Sequence, residues 1–326
     1  RDMPHLRHDP LTARTVFVAP GRALRPNELA GAAIPCPFCA GNESLTPPDL
    51  LRVPRGSGEP WRARIVPNRF PIVADTVAGT PAGGGQSGSV TPAHGVHEVV
   101  IESPAHVRSI LAIDPAAWRD VWELCRERLA TLAEQRGLAW ATVFKNSGSR
   151  AGASLEHVHS QLVALDLVPP AILGELSAAG RAVDPFGDFV RRAETEHRIV
   201  EQAGDLVAVV PPAPRQPFET WILPRTPERY FHTTTSDRVA AVAALTQSLV
   251  GRLDRLLPGT DYNWWLHQPP HAHAEASHAD APVPALWHWH LEIMPRINGL
   301  AGFELGTGCH ITPATPADSA RRLREA

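Results

Sequence analysis

Alternate side chains of a β-strand share a face, so in His157-Val158-His159-Ser160-Gln161 two imidazoles and an amide point the same way. One histidine on a strand is usually held by a backbone carbonyl; two in register with a glutamine form a polar stripe that suits chemistry. A neutral imidazole is a good nucleophile toward phosphorus near pH 7, and the phosphoramidate it forms can pass its group onward. Upstream, the segment from Phe144 to Ser154 leaves a strand and passes through Gly148 and Gly152. Such a loop lets backbone N–H groups approach phosphate oxygens closely. Gln161, Ser154 and Lys145 are expected to stabilise charge on the non-bridging oxygens of an α-phosphate. Lys145 is also the only lysine in the chain, and its compact ammonium differs in kind from a planar guanidinium.

Two further groups could hold metal. Cys36-Pro37-Phe38-Cys39 has the spacing of a zinc knuckle without a second pair at a usual distance. Its remaining ligands must then come from the fold, with His157 and His106 as candidates; two reduced buried thiols or a redox pair are the rival readings. In the second half His288 and His290 share a strand face and His267 ends a preceding strand. With a carboxylate they make a four-ligand set for zinc or iron. His271, His273 and His278 lie in a Pro/Ala-rich stretch and read as solvent-exposed filler.

The elements that must position these residues repeat. Residues 97–102, a helix over residues 115–135, and strands at 139–144 and 157–162 are echoed by strands at 206–211 and 218–223, a helix over residues 237–257, and strands at 262–267 and 288–293. Asp114 and Pro115 should cap the first helix and Ser236 the second. Residues 75–96 and 268–285 read as long loops. The architecture expected is α+β: a duplicated unit of antiparallel sheet with flanking helices, each copy ending in a His-x-His strand. The boundary falls between Leu167 and Asp205, giving halves of residues 1–170 and 171–326.

Composition excludes several classes. A formal charge of −3 from 31 basic and 34 acidic residues offers no basic face for nucleic acid. No apolar run reaches the roughly 18 residues needed to span a bilayer, and residues 1–5 carry no apolar leader, so a cytoplasmic protein with no membrane partner is expected. Four cysteines are too few for a disulfide scaffold.

Together these motifs resemble the galactose-1-phosphate uridylyltransferase family of the histidine-triad superfamily over nearly the whole chain. The resemblance implies a duplicated histidine-triad-like fold and transfer of a nucleoside monophosphate, UMP foremost, from a nucleotide sugar to a hexose 1-phosphate through nucleotidyl-His159. It implies that Arg22 and Arg25 face the phosphates and that Asn146, Gly152, Ser154 and Gln161 hold them. Asn68, Phe303 and Gly306 join Lys145 as further substrate-binding residues. Cys36, Cys39, His106 and His157 match the family's structural zinc site; Glu175, His267, His288 and His290 match its second site, zinc or iron. A homodimer is implied as well. Three departures stand out: Val158 replaces the usual proline between the histidines, Arg69 stands where an acidic residue is common, and residues 302–311 read more like the ADP-glucose phosphorylase branch. That branch uses inorganic phosphate as acceptor, the alternative reading; a second C-x-x-C typical of it is missing. Beyond these lie a histidine-triad nucleotide hydrolase and a non-catalytic nucleotide-binding protein.

Overall fold

The computed structural model describes residues 3–25, 35–56, 59–74, 90–275 and 282–326. Its centre is one ten-stranded antiparallel sheet built equally by the two halves. The first half supplies β3 (Leu51–Val53), β4 (Ala63–Pro67), β6 (Gly95–Ile101), β7 (Trp140–Ser147) and β8 (His159–Leu165). The second supplies β9 (Ile199–Ala203), β10 (Leu206–Val209), β11 (Thr220–Pro224), β12 (Tyr262–His267) and β13 (His290–Pro295). Their spatial order, β3-β4-β6-β8-β7-β12-β13-β11-β10-β9, is the same series read inward from both ends. The halves meet where β7 pairs β12, Tyr262 opposite Ser147 and Trp265 opposite Phe144. A separate three-stranded sheet joins β1 (His5–His8), β2 (Thr15–Val18) and β5 (Val90–Pro92). The expected α+β duplication is therefore what the chain builds.

One face of the large sheet is covered by α1 (Pro115–Ala133) and α4 (Ser236–Leu256), the equivalent helices of the two halves. Asp114 accepts from the N–H groups of Ala116 and Ala117 while Pro115 occupies the first helical position. On α4 the capping oxygen belongs to Thr235, one residue before the expected Ser236. Trp118, Trp122, Leu129, Val242 and Leu249 bury their apolar sides against Val143, Leu162 and Trp264 of the sheet. Trp118 Nε1–H donates to Thr246 Oγ1 at 2.9 Å, a side-chain hydrogen bond that ties the two helices together.

The opposite face is covered in part by α2 (Pro170–Ala179) and α3 (Pro185–Thr195), two helices absent from the expected order of elements. Each begins on a proline, whose missing N–H costs nothing at a helix start. Leu176, Phe186 and Val190 pack there on Val163, Leu223 and Trp287. Two short helices, α5 (Gly302–Thr307) and α6 (Pro316–Glu325), end the chain. No helix among the described residues is long and apolar enough to cross a membrane.

Beneath the start of β8, on the α1 side, lies a buried charge pair. Lys145 Nζ donates to Glu102 Oε2 at 2.6 Å and to the carbonyl of His159 at 2.8 Å. Ser160 Oγ–H donates to the other Glu102 oxygen at 2.5 Å. Neither side chain exceeds 2% exposure, so removing one partner strands the other in the core. Lys145→Met should cost about 3–5 kcal/mol in urea unfolding. The Lys145→Met/Glu102→Gln double variant, which removes both charges, should recover most of that loss.

Candidate active site and metal centres

The first residue of β8 is His159, and its register sets the site. Ile101 of β6 lies opposite His159, and Phe144 of β7 opposite Gln161. His159, Gln161, Val163 and Leu165 therefore face away from α1 and α4, while Ser160, Leu162 and Ala164 face them. His159 Nδ1–H donates to the carbonyl of His157 at 2.8 Å. That bond leaves Nε2 without a proton in the neutral ring. Burial, with the Lys145 charge behind the strand acting the same way, pushes the imidazole down to about 3. At neutral pH the ring keeps its lone pair free.

His159 and Gln161 open into a cavity of about 300 Å³. Pro37, Phe38, Leu45, Val66 and Val99 make an apolar slot in it, and Arg25, Asn68, Arg69 and Ser154 add polar groups. A planar ring fits such a slot while an anionic group meets the donors. The Phe38 ring also packs on the His159 ring, 5.2 Å between centroids. Sequence reasoning overlooked this apolar lining, whose signal was the cysteine loop itself carrying Phe38. It also overlooked His97. The N–H of Ile72 donates to His97 Nδ1 at 3.1 Å, so Nε2–H is left to donate to Gln161 Oε1 at 2.9 Å. Burial pushes His97 down to about 4, so the ring stays neutral in that role. Asn68 brings its amide nitrogen within 3.0 Å of the same Nε2.

The other expected substrate residues divide. Arg22 is tied to the carbonyl of Phe70, which lines the cavity, and Arg25 reaches the carbonyl of Gly152 at 3.3 Å. Asn146 accepts from the Asn263 amide at 2.8 Å and does not line the cavity. The loop between β7 and β8 turns on Gly148 and Gly152, with φ of +86° and +84°. At Gly148 a Cβ would run into the Asp261 carboxylate, which accepts from the Arg150 N–H at 2.7 Å. Lys145 is the plain correction. It sits on the α1 face, opposite to His159 and Gln161, and spends its protons on Glu102 and a carbonyl. Phe303 and Gly306, on exposed α5, do not line the cavity either; Phe303 is 54% exposed.

Cys36, Cys39, His106 and His157 bring one ligand atom each within 4.8 Å of one another and form a group that could hold a metal ion. Cys36 Sγ and Cys39 Sγ stand 3.5 and 3.6 Å from His157 Nδ1, and Cys39 Sγ 3.5 Å from His106 Nδ1. His157 Nε2–H donates to the carbonyl of Ser103 at 2.8 Å, which frees Nδ1 as the ligand atom. A second group gathers Glu175, His267 and His290. His288 is outside it: its Nδ1–H donates to the Pro224 carbonyl at 2.7 Å and its ring stacks on Phe186. His271 corrects another expectation. It is 1% exposed, not a surface residue, whereas His273 is exposed as expected, its Nε2–H on the carbonyl of Leu138. His278 lies outside the described residues.

Comparisons with known proteins place the whole chain in a family. Residues 64–169 match the family described as galactose-1-phosphate uridyl transferase, N-terminal domain. ADP-glucose phosphorylase of Arabidopsis thaliana is 32% identical, over 99% of this chain and 93% of its own. Galactose-1-phosphate uridylyltransferase of Thermotoga maritima is 25% identical, over 99% and 98%. The crystal structure of the Arabidopsis thaliana ADP-glucose phosphorylase with bound ADP-glucose superposes with a TM-score of 0.77 at 32% identity, covering 99% of both chains. At that identity and coverage the chain belongs to the galactose-1-phosphate uridylyltransferase family, an enzyme family of nucleotidyltransferases and phosphorylases that takes in ADP-glucose phosphorylase.

Proposed function

We propose that this chain cleaves a nucleotide sugar by double displacement at His159. Nε2 attacks the α-phosphorus and the bond to the sugar-bearing phosphate breaks, releasing a sugar 1-phosphate and leaving a nucleotidyl phosphoramidate on the ring. An oxygen of the acceptor phosphate then attacks the same phosphorus, and the P–N bond breaks. The observation that carries this reading is the neutral His159 ring, anchored through Nδ1 with Nε2 free at the cavity. Ser154 and the Gln161 amide stand beside it to meet charge on the non-bridging oxygens, and Arg25 supplies the cation expected of Lys145. Asn146, Gly152 and Arg22 serve by shaping the loop and the Phe70 wall.

ADP-glucose with inorganic phosphate as acceptor is the substrate pair the likeness favours, at 32% identity to the phosphorylase against 25% to the uridylyltransferase. Arg69 in the cavity wall supports it, since the uridylyltransferases commonly place an acidic residue there. Transfer of UMP from UDP-glucose to a hexose 1-phosphate is the second reading, supported by the family match over residues 64–169.

For the first metal group we propose zinc. Bonds of about 2.3 Å to sulfur and 2.05 Å to nitrogen at the tetrahedral angle give S···N edges of roughly 3.6 Å, and the three edges present are 3.5–3.6 Å. When bound, zinc would hold both thiolates and staple the cysteine loop to the start of β8. Phe38, inside that loop, would then be fixed against His159. We further propose a cytoplasmic homodimer in which exposed Phe303 and Leu305, at 54% and 71%, find cover.

Brief incubation with ADP-glucose, UDP-glucose or UDP-galactose, quenched at alkaline pH, should add one nucleoside monophosphate to the intact mass. ADP-glucose should give the adduct and His159→Ala should give none; an adduct from the uridine donors alone would favour the second reading. Cys36→Ser should lose one metal equivalent per chain by elemental analysis and reduce adduct formation at least tenfold, with Phe38 no longer held. Light scattering should return twice the 35.3 kDa chain mass.

A further inference from the structure

The ammonium of Lys145 is withdrawn from the cavity, yet it touches the backbone that carries His159. We propose that Lys145 is a positioning residue for His159: with Glu102 and Ser160 it holds the first residue of β8 on the flank where β7 gives no strand pairing. Its effect on rate rests on the double-displacement reading above; its hold on the strand does not.

The sheet has a gap at this point. On one flank β6 follows β8 to its first residue, with Ile101 opposite His159, but on the other the pairs made by β7 stop at Phe144 and Gln161. In the same register the next pair facing across the two strands would set Asn146 opposite His159. Asn146 keeps its pairing with Asn263 of β12, so β7 parts from β8 here. His159 also begins β8, so no ladder precedes it. A buried carbonyl needs a donor. Lys145 Nζ supplies one to the His159 carbonyl at 2.8 Å.

The same ammonium ties neighbouring strands together. It donates to Glu102 Oε2 at 2.6 Å, and Ser160 Oγ–H donates to Glu102 Oε1 at 2.5 Å. Glu102 directly follows β6, Lys145 belongs to β7 and Ser160 to β8. The ring of Trp264, on β12, lies 5.5 Å from Nζ. Four adjacent strands thus meet at one point behind His159. The residue after Glu102, Ser103, offers its carbonyl to His157 Nε2–H at 2.8 Å, so one short segment steadies both histidines of the stripe.

Stability alone does not account for the pair. Lys145 is 2% exposed and Glu102 fully buried, and the desolvation cost of a buried ion pair can exceed its attraction, so apolar residues of like volume would serve the core as well. What they could not do is hold a backbone oxygen. In-line attack depends on where Nε2 stands, and a displacement of about 1 Å costs on the order of a hundredfold in rate. The Nδ1 bond to His157 fixes the ring to the backbone, and Lys145 fixes the backbone to the sheet. Expected from the sequence to meet phosphate charge, Lys145 works instead through the strand.

The Lys145→Met/Glu102→Gln double variant separates this role from folding, because it leaves no uncompensated buried charge. Hydrogen exchange followed by mass spectrometry reads the strand without any chemistry. A peptide spanning residues 155–162 should exchange at least about tenfold faster in the double variant than in wild type, while one spanning residues 206–211 stays unchanged. Single-turnover mass measurements with ADP-glucose read the rate. The limiting rate of adduct formation should fall about tenfold or more, with the half-saturating donor concentration kept within about twofold. Thr246→Val, which breaks the Trp118 bond between the helices, is the stability control and should leave the exchange of residues 155–162 and the adduct rate as in wild type. Unchanged exchange over residues 155–162 in the double variant overturns the proposal, whether or not an adduct forms. A wild-type adduct rate in that variant also overturns it, as does a raised half-saturation at unchanged limiting rate, which would return Lys145 to phosphate binding. A wild-type chain that forms no adduct removes the double-displacement reading, and the exchange result then decides the role of Lys145 by itself.

Discussion

Everything at the cavity depends on one hydrogen bond at the entry to β8, from His159 Nδ1–H to the carbonyl of His157. It selects the tautomer of the proposed nucleophile and points Nε2 outward. It also joins the two sites, because His157 is a member of the first metal group and its own Nε2–H is anchored on Ser103. The residue between them is held too: Val158 is buried on the helix side and its N–H donates to the Val107 carbonyl at 2.8 Å. A proline there, usual in the family, could not make that bond. Here backbone pairing supplies the rigidity that a pyrrolidine ring supplies elsewhere.

The second half repeats the device and uses it differently. His290 donates Nδ1–H to the His288 carbonyl as His159 does to that of His157. The two strands are equivalent members of the duplicated sheet. What differs is what meets Nε2: an open cavity with Ser154 and Gln161 in one case, the carboxylates of Glu175 and Glu292 in the other. A carboxylate beside an imidazole favours its proton or a cation, and either occupies the lone pair a nucleophile needs. Duplication thus sets one ring at an open cavity and the other among carboxylates with the same backbone motif.

The sequence carried the alternation of β8, the helix at Asp114 and Pro115, and the repeated order of elements, because each is a local pattern. It did not carry which face of β7 Lys145 occupies. That depends on register, and Phe144 opposite Gln161 puts Lys145 opposite Ser160, on the helix side. Nor did it carry the burial of residues 268–271. Within a polar, Pro/Ala-rich stretch they read as a loop, yet Gln268 Nε2–H donates to the Ala141 carbonyl and the N–H of His271 to that of Ala139. The segment runs on along the edge of β7 after β12 ends, and that pairing draws His271 inward. Likewise His288 shares a strand face with His290 by spacing, but Phe186 of α3 captures its ring, a contact between distant segments that no local pattern encodes.

The charge pair behind His159 has a consequence at the protein's outer surface. Lys145 is the chain's single lysine and its side chain is 2% exposed. The folded molecule therefore offers solvent no ε-amino group at all. Acylating metabolites, ubiquitin-conjugating chemistry and amine-directed crosslinkers find no lysine target on it until it unfolds, while arginine alone carries the permanent positive charge of its exterior. The same ammonium that steadies the carbonyl of His159 is thus a reporter of the native state, silent while the sheet is intact and reactive once it opens.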